Sequence, residues 1–212
     1  MKKKLIAALA IVLVIVMSVT GTLAYFTATT EKVENTFTVG NLFDPDDPDP
    51  TPEDGKFVLY EHKATADTTG TYTLGTDEVT SNSYTVLPGV DLPKDPFVRS
   101  DVKLALDAYV FVEVVDGTSD ALTVTVDDAK WTQLTGVTGP NGGVVYYLKS
   151  GPAPAGSKLA QTTILKDNKI VVANTEITDA STKVDFYGYM IQAAGFTDAA
   201  DAWTKGFASS GT

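Results

Sequence analysis

The chain has no cysteine and a single histidine in 212 residues. The first absence removes thiolate nucleophiles, cysteine-ligated zinc and any disulfide framework. The lone His62, in Tyr60-Glu61-His62-Lys63, belongs to no H-E-x-x-H pair, so the zinc-protease helix is excluded. A serine triad would need His62 to meet a Ser and an Asp from distant parts of the chain, and no G-x-S-x-G elbow is present. His62 therefore reads as an exposed strand residue. Walker and dinucleotide-binding glycine patterns are also missing, and the glycines fall where turns are expected. Basic residues are scarce: 16 Lys and Arg face 27 Asp and Glu, for a net charge of −11. Such a surface repels nucleic acid and anionic headgroups. The expectation is a non-enzymatic protein with no cofactor, no resident metal and no nucleic-acid partner.

What the chain does have begins at its first residues. Lys2, Lys3 and Lys4 precede an unbroken apolar run from Leu5 to Met17, followed by Ser18, Thr20, Gly21 and Thr22. Thr22-Leu23-Ala24 puts small residues at the −3 and −1 positions of a cleavage site. This is the order of an export signal. The apolar run falls short of the ~20 residues that span a bilayer. Residues 1–24 are expected to be removed between Ala24 and Tyr25, so the membrane holds only the uncleaved precursor. The compartment is then oxidising, and a cysteine-free chain must rely there on packing and strand pairing. A secreted or surface protein of a Gram-positive type of bacterium fits. The end Phe207-Ala208-Ser209-Ser210-Gly211-Thr212 carries no apolar tail or basic stop-transfer cluster, so the product is expected to be released or held by its neighbours.

The remainder reads as β-structure. In residues 25–43, Val33, Asn35, Phe37 and Val39 alternate with Glu34, Thr36, Thr38 and Gly40, the period of a strand. Residues 44–56 then form a linker or exposed loop, because four prolines lack donors and the acids repel one another. In residues 57–212, strands are predicted at Phe57–Ala64, Gly70–Leu74, Ser83–Leu87, Ala108–Val115, Leu122–Val126, Val144–Leu148, Thr162–Leu165, Lys169–Ala173 and Val184–Ala193. Asp77-Glu78, Pro93-Lys94-Asp95-Pro96, Gly139–Gly143 and Lys166-Asp167-Asn168 read as breaks or turns. Thr197 is expected to cap one short helix, with Phe196, Trp203 and Phe207 packing it down. Many short strands with little helix between them predict an all-β, antiparallel, jelly-roll-like sandwich with one C-terminal helix.

Two ligand readings arise from composition. Asp44, Asp46, Asp47 and Asp49 offer oxygen ligands for weak calcium binding. Counted from Asp44, however, the loop positions that need Gly and Glu hold Asp49 and Gly55. The tyrosines and phenylalanines invite a carbohydrate-binding reading, yet most lie inside alternating strands, where cross-strand packing accounts for them.

The junction Ser18-Val19-Thr20-Gly21-Thr22-Leu23-Ala24-Tyr25-Phe26-Thr27 resembles the export signal of the TasA/camelysin family, which is processed by the dedicated signal peptidase SipW. Val33-Glu34-Asn35-Thr36-Phe37-Thr38-Val39-Gly40-Asn41 is similar to the stretch that follows the cut in that family. Val86-Leu87-Pro88-Gly89, Lys94-Asp95-Pro96, Ala108–Val114, Tyr189–Phe196 and Ala202-Trp203 look like clostridial members. The segment Asp44–Gly55 departs from the pattern.

The resemblance implies a jelly-roll subunit of extracellular biofilm-matrix fibres, joined head-to-tail by donor-strand complementation. On that reading the partners are other copies of this chain and, during export, a SipW-type signal peptidase. Residues 25–37 are the candidate donor, with Tyr25, Phe26, Val33 and Phe37 as anchors. A sandwich lacking one strand has an unpaired edge and an apolar groove that such a segment fills, and one-directional donation gives an open filament. The competing readings are a camelysin-like surface metalloprotease and a monomeric adhesin or carbohydrate-binding module.

Overall fold

A computed structural model describes residues 42–44, 57–118, 120–175 and 183–207. All belong to the unit Gly40–Thr212. The elements in order are β1 (Phe57–Ala66), β2 (Tyr72–Val79), β3 (Leu92–Pro93), β4 (Phe97–Ser100), β5 (Ala108–Asp116), β6 (Leu122–Thr123), β7 (Trp131–Thr138), β8 (Val144–Leu148), β9 (Thr162–Thr163), β10 (Lys169–Val172), β11 (Val184–Gln192) and helix α1 (Ala199–Gly206). They form antiparallel sheets with the orders β2-β1-β4-β9, β3-β10-β6 and β11-β5-β8-β7. The chain is an all-β sandwich with one short C-terminal helix.

Strand β5 shows why its sequence is almost continuously apolar. Ala108, Val110, Val112 and Val114 point into the core between the two larger sheets, together with Val98 and Ile164 and the flanking Phe57 and Leu59. Phe111 points to the opposite face, where Leu134, Val145, Ala202 and Trp203 bury it under α1. A strand covered on both faces loses the in-out alternation of a half-buried one. The smallest sheet encloses a third cluster of Leu92, Leu122, Leu165, Ile170 and Val172.

One residue on β5 breaks the apolar run. Glu113 is fully buried. Its carboxylate accepts from the backbone N–H of Asn141 at 2.9 Å, Asn141 Nδ2 at 3.0 Å, the N–H of Gly143 at 2.8 Å and the Tyr189 hydroxyl at 2.7 Å. The β7–β8 hairpin loop is thus wrapped over an anion. Gly139 and Gly143 are required there: a Cβ at either would overlap the Glu113 side chain, and at Gly143 also the Val114 backbone. Burial pushes the Glu113 carboxyl up, but the hydrogen bonds from Tyr189, Gly143 and Asn141 outweigh it and hold it below the usual glutamate range.

Several boundaries differ from expectation. Ser83–Leu87 forms no strand. Its neighbours bind it through side chains instead, with Tyr84 Oη donating to Pro93 O and Thr85 N–H donating to Tyr72 Oη. Asp77 and Glu78 do not break the chain but lie within β2, which runs past them to Val79. The Leu122–Val126 stretch pairs as a strand only at Leu122–Thr123, with Val126 bridged singly to Leu165. Thr162–Leu165 likewise shortens to Thr162–Thr163. The tight turn at Lys166–Asn168 is present, with Asp167 and Asn168 both at φ 53.

Strand β7 had no sequence signal because its alternation is interrupted. Leu134 and Val137 are three residues apart yet both join the cluster under α1, and the pairing with β8 shifts between Gln133 and Thr138. The helix cap moves by one residue from Thr197. Asp198 is the N-cap and accepts from Asp201 N–H, while Thr197 N–H donates back to the Asp201 carboxylate. Of the predicted N-terminal strand, the described residues 42 and 43 meet the loop before β5. There Phe43 bridges Leu104, and Ala105 N–H donates to Leu42 O.

Trp203 is 1% exposed and stacks among Phe111, Tyr189 and Phe207, yet its Nε1–H meets no acceptor. Trp203→Ala is therefore expected to cost ~3–5 kcal/mol in urea unfolding. Trp203→Phe should cost clearly less, because it removes an unsatisfied buried donor along with some of the ring. A second expectation concerns pH. Because the Glu113 carboxyl is depressed in the folded state, its contribution is present above the unfolded glutamate pKa of about 4.3 and is lost as pH falls through the folded value. Stability curves of Glu113→Gln should be flatter than wild type across that acidic window.

Candidate functional site

Pro93-Lys94-Asp95-Pro96, expected to be a simple break, carries two of the buried charges of the sandwich, Lys94 and Asp95. Strand β1 pairs with β4 from Phe57↔Ser100 to Tyr60↔Phe97 and goes no further. Pro96 has no N–H to continue the ladder. The next β1 donor, His62 N–H, is taken by Asp95 Oδ1 at 3.0 Å, and His62 Nδ1 lies 2.6 Å from Asp95 Oδ2. Glu61, pointing to the other face of β1, accepts from Lys94 Nζ at 2.6 Å. Two consecutive strand residues thus clip two consecutive loop residues, one pair on each side of the sheet.

His62 is not the exposed residue that its sequence context implied. Its side chain is only 25% accessible and packs on Phe97, with ring centroids 5.3 Å apart. Glu61, Lys94 and Asp95 are buried. The Lys94 ammonium sits 5.9 Å from the Tyr84 ring and 5.6 Å from the Phe186 ring, so aromatic faces share its charge with Glu61. Burial, with the Glu61 and Asp95 carboxylates nearby, pushes the Tyr84 hydroxyl well above the usual tyrosine range. The His62–Asp95 contact has the geometry of an imidazole oriented by a carboxylate. Among the described residues, no group of three or more His, Asp or Glu is arranged to hold a metal.

The Glu61–Lys94 pair lines a cleft of about 530 Å³. Its walls include Leu59 and Tyr60 of β1 and Val184, Phe186 and Tyr187 of β11, over a floor of Leu92, Leu122 and Ile170. The cleft follows from the strand pairing. Strand β2 pairs with β1 only from Glu61 onward, so Phe57–Leu59 have β4 on one side and, among the described residues, no strand on the other. Strand β11 pairs along its whole length with β5 and has no other strand partner among the described residues. Two strand edges that no second strand covers among the described residues meet an apolar floor at one place. Sequence reasoning missed this cleft; the only local signal was a nine-residue, largely apolar closing strand with no following strand to pair it.

The residues named from sequence fall mostly elsewhere. Asp44 is described, and its N–H donates to Lys103 O at 2.8 Å, fixing the end of the N-terminal segment to the domain. Ala24, Tyr25, Phe26, Val33, Phe37, Asp46, Asp47 and Asp49 lie outside the described residues. Comparison of the chain with protein-family models, curated proteins and solved structures returned no match.

Removing one member of a buried ion pair leaves the other charge unpaired. Glu61→Gln or Lys94→Met alone should each cost ~3–5 kcal/mol in urea unfolding, whereas the double variant Glu61→Leu/Lys94→Met should recover most of that loss. Additive losses would mean that the two side chains are energetically independent.

Proposed function

We propose that the chain is a secreted, non-enzymatic structural subunit of extracellular matrix fibres, assembling head-to-tail with copies of itself. The observation that carries this reading is the cleft between β1 at Phe57–Leu59 and β11, two strand edges that no second strand covers among the described residues. An extended segment entering it gains backbone hydrogen bonds from a strand edge and covers Leu59, Val184 and Phe186. The proposed occupant is residues 25–37 of a neighbouring copy, where apolar and aromatic residues recur at strand spacing. The acidic, proline-rich stretch after residue 44 separates this segment from strand β1 in sequence. Similarity of the export junction to the TasA/camelysin signals points the same way. On this reading a SipW-type peptidase frees the donor from the membrane and so starts assembly.

The aromatic residues Tyr60, Tyr84, Phe186 and Tyr187 at the same cleft favour one second reading, a glycan-binding module. The two separate by electron microscopy and binding. Protein 25–212 should form filaments under negative stain, and protein 57–212 should remain monomeric. Because the chain has no cysteine, Phe37→Cys protein mixed with Tyr187→Cys protein should form a mixed disulfide on oxidation. Monomers from both lengths, with soluble glycan retained in the cleft, would replace the fibre reading with the glycan one.

A further inference from the structure

Asn141-Gly142 is the only Asn-Gly step in the chain. In water such a step reacts unaided. The Gly142 nitrogen attacks Asn141 Cγ, a C–N bond forms, and the side-chain nitrogen leaves as ammonia. Water then opens the five-membered imide to aspartate or isoaspartate. No co-reactant other than water is needed, and glycine exposes the attacking nitrogen because it has no Cβ.

The fold holds both reacting groups. Gly142 N–H donates to Gly139 O at 2.9 Å. Asn141 Nδ2 donates to Glu113 Oε2 and to Tyr189 Oη, each at 3.0 Å, and Asn141 N–H donates to Glu113 Oε1 at 2.9 Å. The groups that hold Asn141 sit on β5 and β11, outside the loop, so the loop cannot relax into the cyclising geometry without leaving them. Asn141 is itself exposed, so water has access to it throughout. Access does not set the rate; release does.

We propose that Asn141 is a latent deamidation site guarded by Glu113: cyclisation proceeds only when the 139–143 hairpin opens, and the product cannot close again. The amide donates two of the hydrogen bonds in the clamp. A carboxylate at the same place donates none, and it faces the buried carboxylate of Glu113 as a like charge. Each opening of the hairpin that lasts long enough is thereby recorded in the chain. The product therefore marks accumulated local opening of the 139–143 hairpin over Glu113. The inference is independent of the fibre reading.

Peptide mass spectrometry of residue 141, after incubation of the 25–212 protein at neutral pH, tests it. The native protein should deamidate roughly tenfold or more slowly than the same protein in urea, as expected for local opening against charge-assisted hydrogen bonds. Glu113→Gln and Tyr189→Phe, each checked for folding by circular dichroism, should react faster than native wild type. Asn141→Asp should lower Tm. Equal rates in native and urea-unfolded protein overturn the guard. So does a wild-type rate in folded Tyr189→Phe, which decides the matter even where Glu113→Gln does not fold. An unchanged Tm for Asn141→Asp overturns the one-way character.

Discussion

The sheet β11-β5-β8-β7 is buried on both faces, and this constraint organises the rest of the fold. Its even-numbered β5 residues need the opposing sheet, while Phe111 and its neighbours need a second cover. A helix of eight residues is marginal alone in water. It is held here because Ala199, Ala202 and Trp203 close the second face. Double burial also explains how a carboxylate on β5 is tolerated. With no solvent on either side, Glu113 must have its acceptor capacity filled from the protein, and the hairpin loop that fills it gains a fixed position in return.

The sheet β2-β1-β4-β9 follows a different logic. Strand pairing between β1 and β4 stops at a proline, and the backbone donor left over is met by a side chain rather than by another strand. Lys94 and Glu61 compensate each other's charge, and the Asp95 carboxylate is held by the His62 backbone N–H and ring. Buried pairs of this kind add little net stability compared with apolar residues, but breaking one is costly. They hold the 93–96 segment in a single place beside β1, where the cleft begins. The cleft is therefore a consequence of where two ladders end, not of any motif.

Much of the architecture was legible because the signals for it are local. Val184–Gln192, Val144–Leu148 and β5 are dense in β-branched and aromatic residues, and Gly139–Gly143 marks a hairpin by its residue types alone. The failures share a cause. Strand β7 changes face partway along, so a period-two reading passes over it. Ser83–Leu87 has strand-like composition, but its hydrogen bonds go to side chains of β2 and to Pro93, so no ladder forms. Asp77 and Glu78 look like a turn, yet they sit on the outer strand of a sheet, where charged residues are at home.

The sequence by itself determined the class of the protein: an acidic, cysteine-free, all-β, antiparallel sandwich with one short C-terminal helix. Alternation, turn residues and composition act over a few neighbours, and they are written in the order of the chain. Only the tertiary structure decided which side chains meet. The His62–Asp95 and Glu61–Lys94 contacts each join residues 33 apart, and Tyr189 reaches Glu113 across 76. Such contacts depend on register and on which face each strand turns to the core. A single-residue slip reverses that choice, so no local pattern encodes it.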